Sequence, residues 1–148
     1  MTIELDRISL DRISIGRPPL HVAVVGDSSA ESLPIVVRRP TLRDAQRARS
    51  VLRSGTRDTA SFAVALEVEV AVAANAAAAR AAVAHLPDEL DGATVRYVGT
   101  VSGLATLIRD IYAAEVADAV VLVPLEGNET EKLVREAVLP AFAHTHAA

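Results

Sequence analysis

The apolar and polar positions of this chain alternate in two periods, and together they predict short β-strands interleaved with helices. Residues 20–25 form an apolar run ahead of Gly26, the pattern of a strand buried on both faces of a parallel sheet. Residues 33–37 form a second short run, with Pro34 confining its first residues to an edge or an entry position. Residues 62–72 alternate strictly. Phe62, Val64, Leu66, Val68, Val70 and Val72 share one face, and Ala63, Ala65, Glu67, Glu69 and Ala71 share the other. Residues 95–99 and 119–123 complete the set, the last stopped by Pro124.

Helical spacing fills the intervals. Thr41 caps a helix over residues 41–54 with Asp44 at its third position, and Gly55 stops it. Asn75 caps an alanine-rich helix running to Leu86 and ended by Pro87. Thr100 or Ser102 starts a third, with Leu104, Leu107, Ile108 and Ile111 on its apolar face. Asn128 and Glu131 form a capping box for a fourth, which packs Leu133, Val134, Ala137 and Val138 and frays near Pro140. The order β, β, α, β, α, β, α, β, α predicts an α/β fold with a mainly parallel sheet and right-handed crossovers. Residues 26–33 are too few for an ordinary crossover, which takes about 10–12 residues or more. Residues 1–19 are expected to be an N-terminal arm carrying a short echo, Leu5-Asp6-Arg7-Ile8-Ser9 and Leu10-Asp11-Arg12-Ile13-Ser14. Residues 20–143 are the folded domain and 144–148 a loose tail.

Composition narrows the chemistry. Of 148 residues, 51% are hydrophobic and 3% aromatic, so the core is aliphatic. The absence of cysteine removes disulfides, thiolate metal sites and a cysteine nucleophile. A net charge of −4 gives no global attraction to nucleic acid. The first residues lack a basic segment followed by an apolar run, and no apolar stretch reaches the ~20 residues that span a bilayer. The expected location is the cytoplasm, without membrane attachment.

Several segments, in order, resemble the luciferase-like flavin-dependent monooxygenases. Residues 17–29, Arg-Pro-Pro-Leu-His-Val-Ala-Val-Val-Gly-Asp-Ser-Ser, are similar to the strand and loop of the nitrilotriacetate-monooxygenase-like branch. Residues 39–46 resemble that family's Pro-Thr-x-x-Asp-Ala-Gln helix start. Residues 95–105, with Gly99-Thr100, resemble its late Gly-Thr turn. Residues 112–124, with Asp118-Ala119, resemble its late strand, and residues 129–142 its last helix. The resemblance covers residues 17–142 and implies βα units of a partial, half TIM-type barrel. It also implies a flavin mononucleotide or deazaflavin cofactor at the strand C-termini, with Gly26, Ser28 and Ser29 at its phosphate, and oxidation of a small organic substrate by O2 and reduced flavin. The N-terminal half of such a barrel is absent. The chain is therefore expected to pair as a homodimer or with a complementary half-barrel chain, or to be a non-enzymatic half-barrel that binds a small molecule.

Other residues carry competing readings. The Gly26–Ser29 loop either presents amides and hydroxyls to a phosphate or is an ordinary polar turn. Glu67 and Glu69, two apart on one strand face, form either an acid/base or metal pair or a polar sheet face. Arg38, Arg39, Arg43, Arg47, Arg49, Arg53 and Arg57 form either an anion-binding segment or a solvated helix face with intersubunit salt bridges. His144 and His146 sit in the tail, and His21 reads as a hydrogen-bonded core residue. No catalytic residue and no metal ligand is assigned.

Overall fold

Five parallel strands form one sheet among the residues described by the computed structural model, which are 16–86, 94–125 and 127–147. They are β1 (His21–Val24), β2 (Ile35–Val37), β3 (Val64–Ala73), β4 (Val95–Thr100) and β5 (Ala119–Pro124). The expected α/β class with a parallel sheet and flanking helices is present, an arrangement that fits a partial βα barrel. Its strand order could not be read from the pattern. β1 pairs with β5 and β5 with β3. The other edge of β3 is shared end to end, with β2 against residues 64–66 and β4 against residues 68–73.

Helices α1 (Ser28–Glu31), α2 (Leu42–Ser54), α3 (Ala76–Ala82), α4 (Val101–Ala113), α5 (Gly127–Leu133) and α6 (Leu139–Ala147) connect and follow the strands. Three predicted caps are present. Thr41 Oγ1 accepts the Asp44 amide at 3.1 Å, Asn75 Oδ1 the Ala78 amide at 2.8 Å, and Thr100 Oγ1 the Gly103 amide at 3.2 Å. The alanine-rich helix is shorter than expected and gives way to turns after Ala82. The connection too short for an ordinary crossover, residues 26–33, carries the single helical turn of α1.

The C-terminal helix corrects two further expectations. It is already helical at Gly127, and Glu131 turns to Arg135 (3.1 Å) in place of a capping box with Asn128. It also does not fray at Pro140. A π-helical turn, Val134–Val138, links α5 to α6, and the Leu139 amide reaches back to the Val134 carbonyl. Proline has no N–H and its ring crowds the carbonyl four residues back, so a widened turn just before it absorbs the clash. The backbone stays helical through Ala147, across residues the sequence assigns to a loose tail.

The two faces of the sheet differ in residue size. One face presents Val64, Leu66, Val68, Val70 and Val72 of β3 beside Val22, Val24, Val120 and Leu122. It packs against Ala45 of α2, Leu104, Ile108 and Ile111 of α4, and Val134, Val138 and Phe142 of the C-terminal helix. The opposite face is built of Ala23, Ala65, Ala119 and Val121, covered by Ala30 and Leu33. This small-residue floor explains the short connection. β1 and β2 lie on opposite sides of β5 and β3, about 14 Å apart at ~4.8 Å per strand. Residues 25–34 cover that distance with Ala30 and Leu33 packed against the alanines.

A buried carboxylate locks the base of the sheet. Asp118, at the start of β5, is fully buried. Its amide donates to the Val64 carbonyl (2.8 Å), and its Oδ2 accepts the Val64 amide (3.0 Å). Arg49 donates to Oδ1 from Nε and Nη2 (3.1 and 2.9 Å), and Arg17 Nε reaches the same oxygen at 2.8 Å. Arg53 Nη1 stands 3.7 Å from Oδ2. Arg49 and Arg53 are thus turned inward, against the expectation of a solvated arginine face. Arg17 also lies over the Tyr112 ring (3.7 Å to its centroid), and the Tyr112 hydroxyl donates to Pro18 O at 2.7 Å, which fixes the chain ahead of β1.

Burial pushes the Asp118 carboxyl up, but hydrogen bonds from Arg49, the Val64 amide and Arg17 outweigh it and hold it below its ordinary value near 3.8. A depressed native value means that this stabilisation is complete above the unfolded-state value and is lost as pH falls through the folded one. Urea denaturation of Asp118→Ala is expected to show a loss of about 3–5 kcal/mol at pH 7, because it strands buried guanidiniums. The difference between variant and wild type should shrink below pH 4.

Candidate functional site

The C-terminal end of β1 turns sharply at Gly26, whose φ of +90° lies in the region that favours glycine. The Asp27 amide closes this turn on the Val24 carbonyl (3.0 Å), and α1 begins at Ser28. Gly26 lines a cleft of about 470 Å3 on the small-residue face. Val25, Ala30, Leu33, Val36 and Val121 supply apolar walls, and Glu31 and Glu67 supply carboxylates. Val25 and Val36 are 45% and 41% exposed, unusual for aliphatic residues beside an alanine floor. Ser28 and Ser29 are exposed and are not among the residues that line the cleft, and the Ser29 carbonyl accepts the Ser32 hydroxyl at 2.9 Å.

Arg135 was not visible as a site residue in the sequence. It reaches from the π-helical turn to Asp27 with a two-pronged contact, Nη1 to Oδ2 at 2.9 Å and Nη2 to Oδ1 at 3.2 Å. Hydrogen bonding from Arg135 holds the Asp27 carboxyl below its ordinary value, against a smaller opposing effect of desolvation. Asp27 and Glu131 in turn raise the Arg135 value further. The contact places a guanidinium beside the one acidic residue of the Gly26–Ser29 loop, and Glu131 pairs with the same guanidinium at 3.1 Å. The two residues are 108 positions apart, so no local spacing rule connects them.

Glu67 and Glu69 share the small-residue face of β3, as their alternation requires. Each carries its own cation. Arg38 Nε stands 2.9 Å from Glu67, and Arg96 Nε 3.2 Å from Glu69. The Thr94 hydroxyl donates to the Glu67 carbonyl where β2 ends and β4 begins. Among the described residues no group of three or more His, Asp or Glu is placed to hold a metal ion. His21 is half-buried on β1, and the side chains of His144 and His146 lie outside the described residues.

A second loop at the same end of the sheet is shaped by Tyr97. Its hydroxyl accepts the Thr100 amide (3.1 Å) and donates to the Thr100 carbonyl (3.0 Å) at the start of α4. A Cβ at Gly99 or Gly103 would collide with that hydroxyl. The Gly-Thr turn is therefore glycine-rich because a phenol fills it.

No described helix is long and apolar enough to cross a membrane. No family model matches the sequence, and no curated protein matches it at a significant level.

The collision gives a two-part test. Gly103→Ala is expected to lower the midpoint of thermal unfolding, and adding Tyr97→Phe, which removes the obstructing oxygen, should recover part of the loss. A double-mutant cycle in urea reads this coupling, expected at about 0.5–3 kcal/mol.

Proposed function

We propose that this chain is a shortened, flavin-binding half-barrel related to the luciferase-like monooxygenases, located in the cytoplasm and working as a dimer or with a complementary chain. The observation that carries the reading is the adjacency of an apolar cleft of about 470 Å3 to the Gly26–Ser29 loop with Arg135 beside it. The volume falls in the ~300–1,000 Å3 range of small-molecule sites. The residues fit the cofactor's two ends. Val25, Leu33, Val36 and Val121 suit a flat ring, and the amides and hydroxyls of Gly26, Ser28 and Ser29, with the Arg135 guanidinium, suit a phosphate. This division is what supports a ligand of the flavin mononucleotide or deazaflavin class.

A bound reduced flavin would supply the redox chemistry with O2; the chain's part is to bind and orient it. A second reading, a non-catalytic binding module, is favoured by the ion pair Arg38–Glu67, which engages one of the two carboxylates that line the cleft. Exposed Val25 and Val36 on one sheet face support a partner that covers it.

Titration with flavin mononucleotide, followed by its visible spectrum, is expected to show saturable binding. Ser28→Ala with Ser29→Ala, and separately Arg135→Ala, should each weaken it about tenfold, or 1.4 kcal/mol. Absence of binding to either flavin or deazaflavin at millimolar concentration would discard the cofactor assignment and leave the non-catalytic module. Light scattering after size exclusion should give twice the 15.6 kDa chain mass, and a stable monomer at micromolar concentration would contradict self-association.

A further inference from the structure

The carboxylate of Asp27 occupies both outer nitrogens of the Arg135 guanidinium, Nη1 at 2.9 Å and Nη2 at 3.2 Å. Glu131 takes the Nε side at 3.1 Å. A phosphate can therefore gain the two-pronged edge of Arg135 only by replacing Asp27, because a carboxylate and a phosphate meet that edge with the same geometry. Asp27 has an alternative partner. It is the N-cap residue of α1, with the extended backbone of a capping residue (φ −77°, ψ 152°), yet its side chain makes no cap hydrogen bond. Thr41, Asn75 and Thr100 hold the same position on α2, α3 and α4, and each accepts a first-turn amide with its side chain. Aspartate is as good a cap as any of these, but here the carboxylate is diverted to Arg135. The Asp27 and Arg135 side chains are 36% and 40% exposed, and ion pairs this open to water are weak enough to exchange partners.

We propose that Asp27 is the specificity-determining residue of the phosphate site: its carboxylate stands in for the ligand on Arg135, and a phosphate monoester displaces it, whereupon Asp27 turns to cap α1. The identity of the ligand rests on the flavin reading; the exchange at Arg135 can be read without any flavin. A phosphate monoester carries a charge of about −1.5 to −2 at neutral pH, against the single charge of a carboxylate. It competes for the guanidinium where a monoanion does not, so the site discriminates by charge. Selectivity comes with weaker binding. The apparent affinity of any ligand that uses Arg135 is reduced by the fraction of molecules in which Asp27 has already turned away.

Calorimetric titration of the intact chain with inorganic phosphate, at a pH where it is mainly the dianion, tests the exchange. Asp27→Asn keeps a capping carbonyl and removes the competing charge. It is expected to bind phosphate about tenfold more tightly than wild type, and to bind acetate, which wild type should reject. Adding Arg135→Ala should remove both gains. Flavin mononucleotide should gain by a similar factor in Asp27→Asn, while riboflavin, which lacks the phosphate, should bind both proteins alike. Circular dichroism checks that each variant is folded. If Asp27→Asn unfolds the chain, wild type still answers, because the carbon-13 resonance of the Asp27 carboxyl should move in excess phosphate. Unchanged phosphate affinity in folded Asp27→Asn, a gain that survives Arg135→Ala, or a stationary Asp27 resonance would each overturn the exchange. A gain for phosphate without any flavin binding would support the exchange and discard the cofactor assignment. Equal flavin mononucleotide affinity in wild type and Asp27→Asn would do the reverse.

Discussion

The Asp118 carboxylate is the constraint on which the sheet depends. One buried anion joins the central strand β3, through the Val64 amide, to β5, to α2 through Arg49, and to the segment ahead of β1 through Arg17. A buried charge is tolerated only when its desolvation is offset by close partners, and here several donors converge on two oxygens. The arrangement lies at the start of the strands. The Gly26–Ser29 loop and the clefts lie away from it, along the small-residue face and at the strand ends. This division resembles that of βα barrels, in which one end of the strands serves stability and the other serves chemistry.

Side-chain volume on the two sheet faces explains the asymmetry of the fold. Valine and leucine on one face need helices with an apolar stripe, which α4 and the C-terminal helix provide, while α2 adds Ala45 with the half-buried Leu42 and Leu52. Alanine on the other lets ten residues of chain cross two strands at close range, and it leaves shallow clefts between that connection and α3. The same face holds Glu67 and Glu69, whose pairing with Arg38 and Arg96 lets charge sit on a partly covered sheet.

Local rules read well in this chain. Strict alternation gave β3, and side-chain hydroxyl and amide caps gave the starts of α2, α3 and α4, because each depends on residues only a few positions apart. What depends on distant residues did not read. The strand order places β1 against β5, and Arg49 and Arg53 turn inward because of an aspartate more than 60 positions away. Pro140 misled in another way. Proline signals a helix end, but a π-helical turn absorbs its missing donor, and that same turn presents Arg135 to the Gly26–Ser29 loop. Of the candidate site, Gly26 was legible from its place after a buried strand. The cleft beside it was not, since its walls come from three strands and a connection.

The placement of β5 between β1 and β3 has a consequence for synthesis on the ribosome. β1, β2 and β3 all emerge before β5, yet among the described residues β1 pairs only with β5, and one whole edge of β3 waits for it. Until the last quarter of the chain is made, the nascent polypeptide carries unpaired, valine-rich strand edges of the kind that chaperones shield.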